Sequence, residues 1–400
     1  MNLHSDYPYW MIKTGLIRSF PALDKNLKTD VLVVGGGITA ALVGQKLSAS
    51  GVSVTVVDKG HIGHGSTSAS TAILQYEIDE PLFRLKDKAG KQRAEHSYIL
   101  CQDSIDKIGE LALKTTDKSD FEYHPSLYFA ESKKNYKELL LPEFEARKQL
   151  GLDVELLDEK EVHDRFGFAS PGAIRSAKAA HINPYKLCHH LFEEMTDAGH
   201  QVFSHTEIKS WRRSGKGYDV KLKNELNIQA KYIIIACGFE SQHFLDKKVS
   251  DFDSTYAMVS LPVKDKVLWE DNAILWNTGD PYLYVRTTAD NRIIIGGRDD
   301  EFSSAIKRDK AVKRKQKELL KDFNKLFPRI KFEVDFAWAG TFAKTKDSLP
   351  YIGPYKEPGV FYAMGYGGNG ITFSQIASEI LTDLITKKKS KDAWLFAFDR

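Results

Sequence analysis

Three cysteines in 400 residues, Cys101, Cys188 and Cys237, form no C-x-x-C pair and no even framework. A disulfide scaffold is thereby excluded, and the thiols are expected to be reduced and mostly buried. No apolar run approaches the roughly 18 residues of a membrane span. The opening residues, Met1 to Trp10, have neither the basic start nor the apolar middle of a secretory signal, so the expected compartment is the cytosol. Charge of one sign is also scarce: 57 Lys and Arg against 54 Asp and Glu leave a net +3, too little to point to nucleic acid or a membrane surface. No Ser/His/Asp arrangement, metal-ligand cluster or internal repeat stands out.

What is there is a globular balance, 42% apolar and 28% charged, in a chain longer than one ordinary domain. Two interleaved domains are expected. The stretch that organises them is Thr29 to Asp58. The apolar run Val31-Leu32-Val33-Val34 leads into Gly35-Gly36-Gly37-Ile38-Thr39-Ala40 and a helix closed by Ser50-Gly51. The alternating strand Val52 to Val57 follows and ends on Asp58. Strand, loop, helix, strand and acid in this order make a dinucleotide fingerprint. Gly35 permits the tight turn, Gly37 lets the backbone approach a pyrophosphate, and the helix N-terminus offers free N–H groups and positive dipole. Ala40 takes the third, small position. Asp58 can accept hydrogen bonds from ribose hydroxyls and would repel a 2′-phosphate, which disfavours NADP.

Residues 1 to 28 read as a surface-packed arm. After Asp58, the loop from Lys59 to Ala72 is rich in small and hydroxyl residues and can lie flat against a planar ligand, its hydroxyls and N–H groups bonding phosphate or ribitol oxygens. Residues 87 to 119 are expected to be scaffold helix, Ser126 to Ala130 a strand, and Lys137 to Leu150 a helix stopped by Gly151. Asn183-Pro184 opens another helix ending near Ala198-Gly199. Tyr232 to Gly238 is apolar throughout and suits the centre of a buried parallel sheet, with its glycine end near the nucleotide. From Ser254 to Gly297 short alternating strands predict an antiparallel sheet with a hairpin turn at Asp290-Asn291. It is a platform for a pocket whose candidates include Tyr256, Tyr282, Tyr284 and Arg286. The basic helix 307–325, with Lys307, Arg308, Lys310, Lys313, Arg314, Lys315 and Lys317, is expected to be a solvated face rather than a nucleic-acid contact, since the rest of the chain is not basic. Val360 to Met364 then forms a strand, and Gly365-Tyr366-Gly367-Gly368-Asn369-Gly370 a second glycine turn into a helix.

Taken together, Asp30 to Ala40 with Asp58-Lys59, the Gly63 to Leu74 loop, Ile233 to Gly238, Thr345 to Pro354 and Gly365 to Thr372 resemble the FAD-dependent oxidoreductases of the D-amino-acid oxidase, glycine oxidase and sarcosine oxidase superfamily. The resemblance spans nearly the whole chain. It implies an α/β (α+β) fold in which a Rossmann-like FAD-binding domain is assembled from residues 1–85, 165–253 and 335–400. Residues 86–164 and 254–334 would form an antiparallel-sheet substrate domain. In this reading Gly35, Gly37, Ile38 and Thr39 face the pyrophosphate, Asp58 and Lys59 the ribose side, and Ser66, Thr67 and Ser68 the phosphates or ribitol. Thr71, Ala72 and Leu74 lie near the ring, Ala236 and Gly238 at the end of the central strand, and Gly368, Asn369, Gly370, Ile371 and Thr372 at the pyrimidine end. The implied reaction takes a hydride from the carbon beside an amine and gives an imine that water hydrolyses. It demands no side-chain nucleophile, acid or base.

Three departures shape the expected substrate. An arginine that grips substrate carboxylate in the family's amino-acid oxidases corresponds here to Phe342, in Trp338-Ala339-Gly340-Thr341-Phe342. Phe342 lines a pocket for a carbon chain instead, with Tyr256, Tyr284, Arg286 and Tyr366 as further substrate candidates and Arg286 as the alternative anion clamp. The region from Gly340 to Asp347 has no cysteine, so FAD is expected to be held noncovalently. Arg292-Ile293-Ile294-Ile295 has no lysine to help oxygen react, which leaves oxygen and another electron acceptor both open. Amines or polyamine derivatives such as gamma-glutamylputrescine are favoured over small D-amino acids. The alternatives are a flavoprotein acting on an amine in modified tRNA and a flavin-binding electron-transfer partner; an NAD dehydrogenase accounts for the first motif but not for the loop after Asp58 or the terminal glycine turn.

Overall fold

A computed structural model describes residues 3–5, 7–265 and 267–400. The first strand, Leu27–Val34, lies between Val54–Val57 and Asn227–Ile235, parallel to both. Val360–Met364 continues the parallel set beyond Asn227–Ile235, and Gln201–Phe203 continues it beyond Val54–Val57. Tyr351–Pro354 closes one edge antiparallel. The hairpin of Ile208–Ser214 and Gly217–Leu222 pairs with the early part of Asn227–Ile235. Alternate residues feed two cores, Val31 and Val33 one, Leu32 and Val34 the other. The second half of Leu27–Val34, Val31 to Val34, is apolar throughout because both faces are covered there.

Against this sheet pack the helices Ile38–Ala49, Pro184–Asp197 and Gly370–Thr386. The first and last are joined where the Thr39 and Ser374 hydroxyls meet at 2.7 Å. Pro184–Asp197 opens as expected, with Asn183 accepting from the Lys186 N–H at 3.0 Å. Gly151, at φ 82°, ends the helical stretch that runs to Gln149.

The second sheet runs Val334–Lys344, Asp251–Ser260, Ile293–Asp300, Leu283–Thr287, Ile274–Asn277, Glu122–Phe129, Gly172–His181 and Ile73–Gln75, with Val154–Asp158 beside Gly172–His181. It is antiparallel but for one junction: Ile274–Asn277 runs parallel to Ser126–Phe129. Its membership also differs from the sequence-based grouping. Ile73–Gln75, Gly172–His181 and Val334–Lys344 stand in this sheet, although their sequence neighbours belong to the first. The chain crosses from the first sheet to the second through the loop after Asp58 and through residues 236–244, both of which line the cavity.

The helix Ala305–Leu326 covers one face of the second sheet through Leu319 and Phe323. It corrects the reading of a wholly solvated basic face. Arg308 is fully buried and donates to Thr341 Oγ1 at 2.9 Å, and Lys315 is buried with its Nζ 2.7 Å from Asp300. Only Lys307, Lys310, Lys313, Arg314 and Lys317 of that set stay exposed. No helix among the described residues is long and apolar enough to cross a membrane.

The N-terminal arm is more than a surface strap. Its short helix Tyr9–Thr14 buries Tyr9 and Trp10, with Trp10 edge-on to Tyr9 and Tyr9 stacked on Trp338.

Candidate active site

A cavity of about 1220 Å³ runs from the first glycine loop to the second sheet. Its first end is the turn after Leu27–Val34. Gly35 has φ 117°, and a Cβ there would lie 2.4 Å from the Ala236 carbonyl oxygen, so only glycine lets the two strand ends approach. Gly37 precedes the 12-residue helix Ile38–Ala49 and has no side chain to cap it, and the helix N-terminus borders the cavity. Asp58 accepts from the N–H of Gly36 at 2.6 Å and of Gly60 at 2.7 Å. Burial nevertheless pushes its carboxyl above the usual range. Lys59 pairs with Glu240 at 2.7 Å at the cavity rim.

The middle of the cavity is built by the loop after Asp58, which contains a helical turn at Ser66–Ala69. Thr67 Oγ1 accepts from the Ile38 N–H at 3.0 Å, fixing the loop against the first helix. Ser66 Oγ is buried and has no hydrogen-bond partner, as suits a hydroxyl that bonds a polar ligand. Three successive carbonyls of this loop are gripped from outside. Trp338 Nε1 donates to Ala69 O at 2.9 Å, Trp10 Nε1 to Ser70 O at 2.7 Å, and Arg286 Nε to Thr71 O at 2.7 Å. Held this way, Ala72 sits in the left-handed region at φ 58°, a conformation that costs an alanine roughly 1 kcal/mol or more and persists only where surroundings impose it.

The second glycine turn closes the other side. Gly365 and Gly367 have φ 77° and 59°. Gly368 donates its N–H to Asp79 Oδ2 at 2.8 Å, and a Cβ at Gly367 or Gly368 would strike that carboxylate. Asp79 faces the open cavity yet is walled in by protein, and the loss of bulk water raises its pKa. The Asn369 side chain is turned away from the N-terminus of Gly370–Thr386: its amide donates to Gln75 O at 3.1 Å and Glu77 O at 2.9 Å. That helix end is thereby left uncapped at the cavity wall.

The far end is aromatic. Tyr128 and Trp276 stack with ring centroids 3.8 Å apart, and Tyr256, Tyr282, Tyr284, Phe342 and Tyr366 line the wall with them. Tyr256 donates to Asp300 at 2.9 Å. Tyr284 lies over Gly296, where a Cβ would come within 2.2 Å of its hydroxyl. Burial raises the pKa of Tyr256, Tyr284 and Tyr366 and keeps them protonated.

A family model described as FAD dependent oxidoreductase (DAO) matches residues 30–384. The chain belongs to that family. Among relatives, it is 26% identical over 388 residues to glycine oxidase of Bacillus subtilis, covering 92% of this chain and 96% of the relative. It is 23% identical over 397 residues to gamma-glutamylputrescine oxidoreductase of Escherichia coli, covering 94% and 88%. Among solved structures, glycine oxidase of Geobacillus kaustophilus matches with a TM-score of 0.73 and 22% identity over 91% of this chain and 96% of that one.

The protein is thus an FAD-dependent oxidoreductase of the DAO family. Its residues fit the cofactor: a long cavity with a helix N-terminus in each glycine wall, the second uncapped and the first bonded by a side chain only at Ile38, and the orphaned Ser66 hydroxyl beside them.

Most of the residues expected at this site do line the cavity: Gly35, Gly37, Ile38, Thr39, Asp58, Lys59, Ser66, Thr67, Thr71, Ala72, Ala236, Gly238 and Gly368 to Ile371. Three do not. Ser68 turns inward and bonds Gly65 O at 2.9 Å, Leu74 is fully buried in the core, and Thr372 bonds Asn369 O at 2.9 Å. In each case the neighbour one or two residues away takes the cavity face. Arg286 is a further correction, being no anion clamp in the cavity. It is 1% exposed, and donates to the Thr71 and Thr287 carbonyls. Asp79, Trp10 and Trp276 went unnoticed in the sequence. Asp79 lies in a loop with no periodic pattern, and the partners of the two indoles, Ser70 for Trp10 and Ala69 for Trp338, are distant in sequence.

Proposed function

We propose that the protein oxidises amines, secondary amines or polyamine derivatives in preference to small D-amino acids. The observation that carries this reading is the composition of the substrate wall. Phe342 stands on it among tyrosines, the acids Asp79, Glu80 and Asp280 border it, and Arg286 is committed to backbone carbonyls. Such a wall favours a cation with a carbon chain over a carboxylate, although Arg84 also reaches the lining.

When bound, FAD supplies acceptance of two electrons as a hydride from the carbon beside the amine. The chain's part is positioning. In this proposal Gly35, Gly37, Ile38 and Thr39 hold the pyrophosphate against the first helix, Asp58 the adenosine ribose, and Ser66 and Thr67 the phosphate or ribitol oxygens. The wall of Thr71 and Ala72 backs the ring, and Gly368 to Ile371 meet its pyrimidine end, where the helix dipole favours negative charge. Both sheets contribute walls, so the domain division is proposed as a nucleotide unit around the parallel sheet and a substrate unit around the second. Binding is proposed to be noncovalent, with oxygen or another acceptor taking the electrons.

The test is anaerobic titration of the holoenzyme with a panel of monoamines, diamines, acylated polyamines and amino acids, followed by admission of air. Bleaching of the flavin bands by amines at lower concentration than by amino acids is expected. Faster reduction by glycine or D-alanine than by any amine overturns the reading, and recovery or persistence of the bleached state in air separates oxidase from dehydrogenase.

A further inference from the structure

A second group of polar side chains lies outside the cavity. Glu122 and His181 are directly opposed across the antiparallel pair of Glu122–Phe129 and Gly172–His181. His124 is two residues beyond Glu122, and so on the same face of the ladder. The ligand-type atoms of these three side chains lie within 4.8 Å of one another. None of the three lines the cavity.

Two features set this group apart from a packed polar cluster. His124 and His181 are 7% and 3% exposed, yet Nε2 of His124 and both ring nitrogens of His181 have no hydrogen-bond partner. Both Nε2 atoms also face a single carboxylate oxygen, Glu122 Oε2, at 3.6 and 3.7 Å. That is too long for a hydrogen bond. It is close to the spacing of neighbouring ligands around a tetrahedral ion, roughly 3.4 Å for bonds of about 2.0–2.1 Å. His124 Nδ1 is 3.2 Å from the Asp271 carbonyl, which places the proton there and points the Nε2 lone pair towards the group, the usual outer arrangement of a ligating imidazole.

We propose that Glu122, His124 and His181 form a binding site for a divalent transition metal, with Zn²⁺ as the best match to two imidazoles and a carboxylate. The half-exposed Glu122 leaves a side through which water supplies the fourth ligand. The charges facing His181 are Arg286 and Lys13, with the His124 ring beside it. The same cations oppose a divalent ion. Lys13 is itself paired with Asp290 at 2.9 Å and Asp120 at 3.5 Å, which leaves Arg286 as the main opposing charge. A bound ion would tie Glu122–Phe129 to Gly172–His181, whose His181 pairs with Ile73 on the strand leaving the flavin loop.

The experiment uses the full-length holoenzyme, dialysed against chelator and then exposed to Zn²⁺ alone, with bound metal measured by elemental analysis and affinity by competition with a chromophoric chelator. About one zinc per chain is expected, lost in His181→Phe, which keeps a ring of similar shape. Glu122→Gln, at an exposed position that does not threaten folding, is expected to weaken binding by about ten-fold or more. Flavin content serves as the control for folding. Failure of the wild-type protein to retain zinc overturns the proposal, as does equal affinity in Glu122→Gln and wild type, whatever the fate of the histidine variant.

Discussion

Trp10 donates its indole N–H to the carbonyl of Ser70 at 2.7 Å, joining the N-terminal arm to the wall of the flavin cavity. Trp10→Phe keeps most of the ring packing and removes only the donor. The part-buried carbonyl left behind costs about 1–3 kcal/mol, and the strained Ala72 loses one of its supports. The expected outcome is FAD affinity lowered by about ten-fold, read by fluorescence titration of the apoprotein, with a smaller loss in melting temperature. Unchanged affinity would show that Trp338 and Arg286 suffice to shape the loop.

Asp299 stands beside Tyr282 and Thr255, two residues of the cavity wall, and burial pushes its carboxyl up to about 7. A carboxyl raised from 3.8 to about 7 prefers to be neutral in the folded chain, so the native state holds a proton that the unfolded chain has released. Stability from this group therefore falls as pH rises between those two values. Asp299→Asn removes the fall: its melting temperature should exceed that of wild type above neutrality and converge with it in acid. Under the amine proposal, wild-type KM for a cationic amine drops as pH rises through about 7, and the variant shows no such limb.

Asp290 gives the opposite slope. Burial alone would raise its carboxyl, but the hydrogen bond and charge of Lys13, helped by Thr288 and Arg292, hold it at about 2. Because the folded value lies below the unfolded 3.8, the stabilisation is present above the unfolded pKa and vanishes as pH falls towards 2. The difference in melting temperature between wild type and Asp290→Asn should shrink through that acid window. The partly exposed position keeps the effect modest.

Arg147 lies between Glu143 Oε1 at 2.6 Å and Glu77 Oε1 at 3.2 Å, with all three side chains fully buried. Glu77 also accepts from the hydroxyls of Ser126 and Ser176. Arg147→Met leaves two carboxylates without their cation, a loss of about 3–5 kcal/mol expected in denaturant unfolding. The triple change Glu77→Gln, Glu143→Gln, Arg147→Met should recover part of it. If the single variant unfolds at the wild-type denaturant midpoint, the group is not held by its charges.

The parts of the fold that the sequence revealed are those whose signals are local. The turn at Gly35 to Gly37, the acid at Asp58 and the uncapped turn before Gly370 each need particular residues within a few positions, because backbone must approach a ligand or another strand. Residues named by spacing alone fared unevenly. Ser68, Leu74 and Thr372 sit in the right segments but face inward, since a short irregular turn does not reveal which of two adjacent side chains points to the cavity. Arg286 was misread for a related reason: its carbonyl partner, Thr71, is distant in sequence, and only the fold shows that a guanidinium there serves the backbone. The parallel junction of Ile274–Asn277 with Ser126–Phe129 and the meeting of Glu122, His124 and His181 left no periodic trace at all, being products of strand register between segments far apart in the chain.

The pairing of Val31 with Tyr232, and of Ile233 with Val360, has a bearing on how the molecule is made. A ribosome delivers the first apolar strand and its phosphate turn long before either later strand exists, so the nascent chain carries an open sheet edge through most of its synthesis. Cofactor capture belongs to the end of that history: until the turn at Gly365 to Gly370 has emerged, one of the two helix ends is missing.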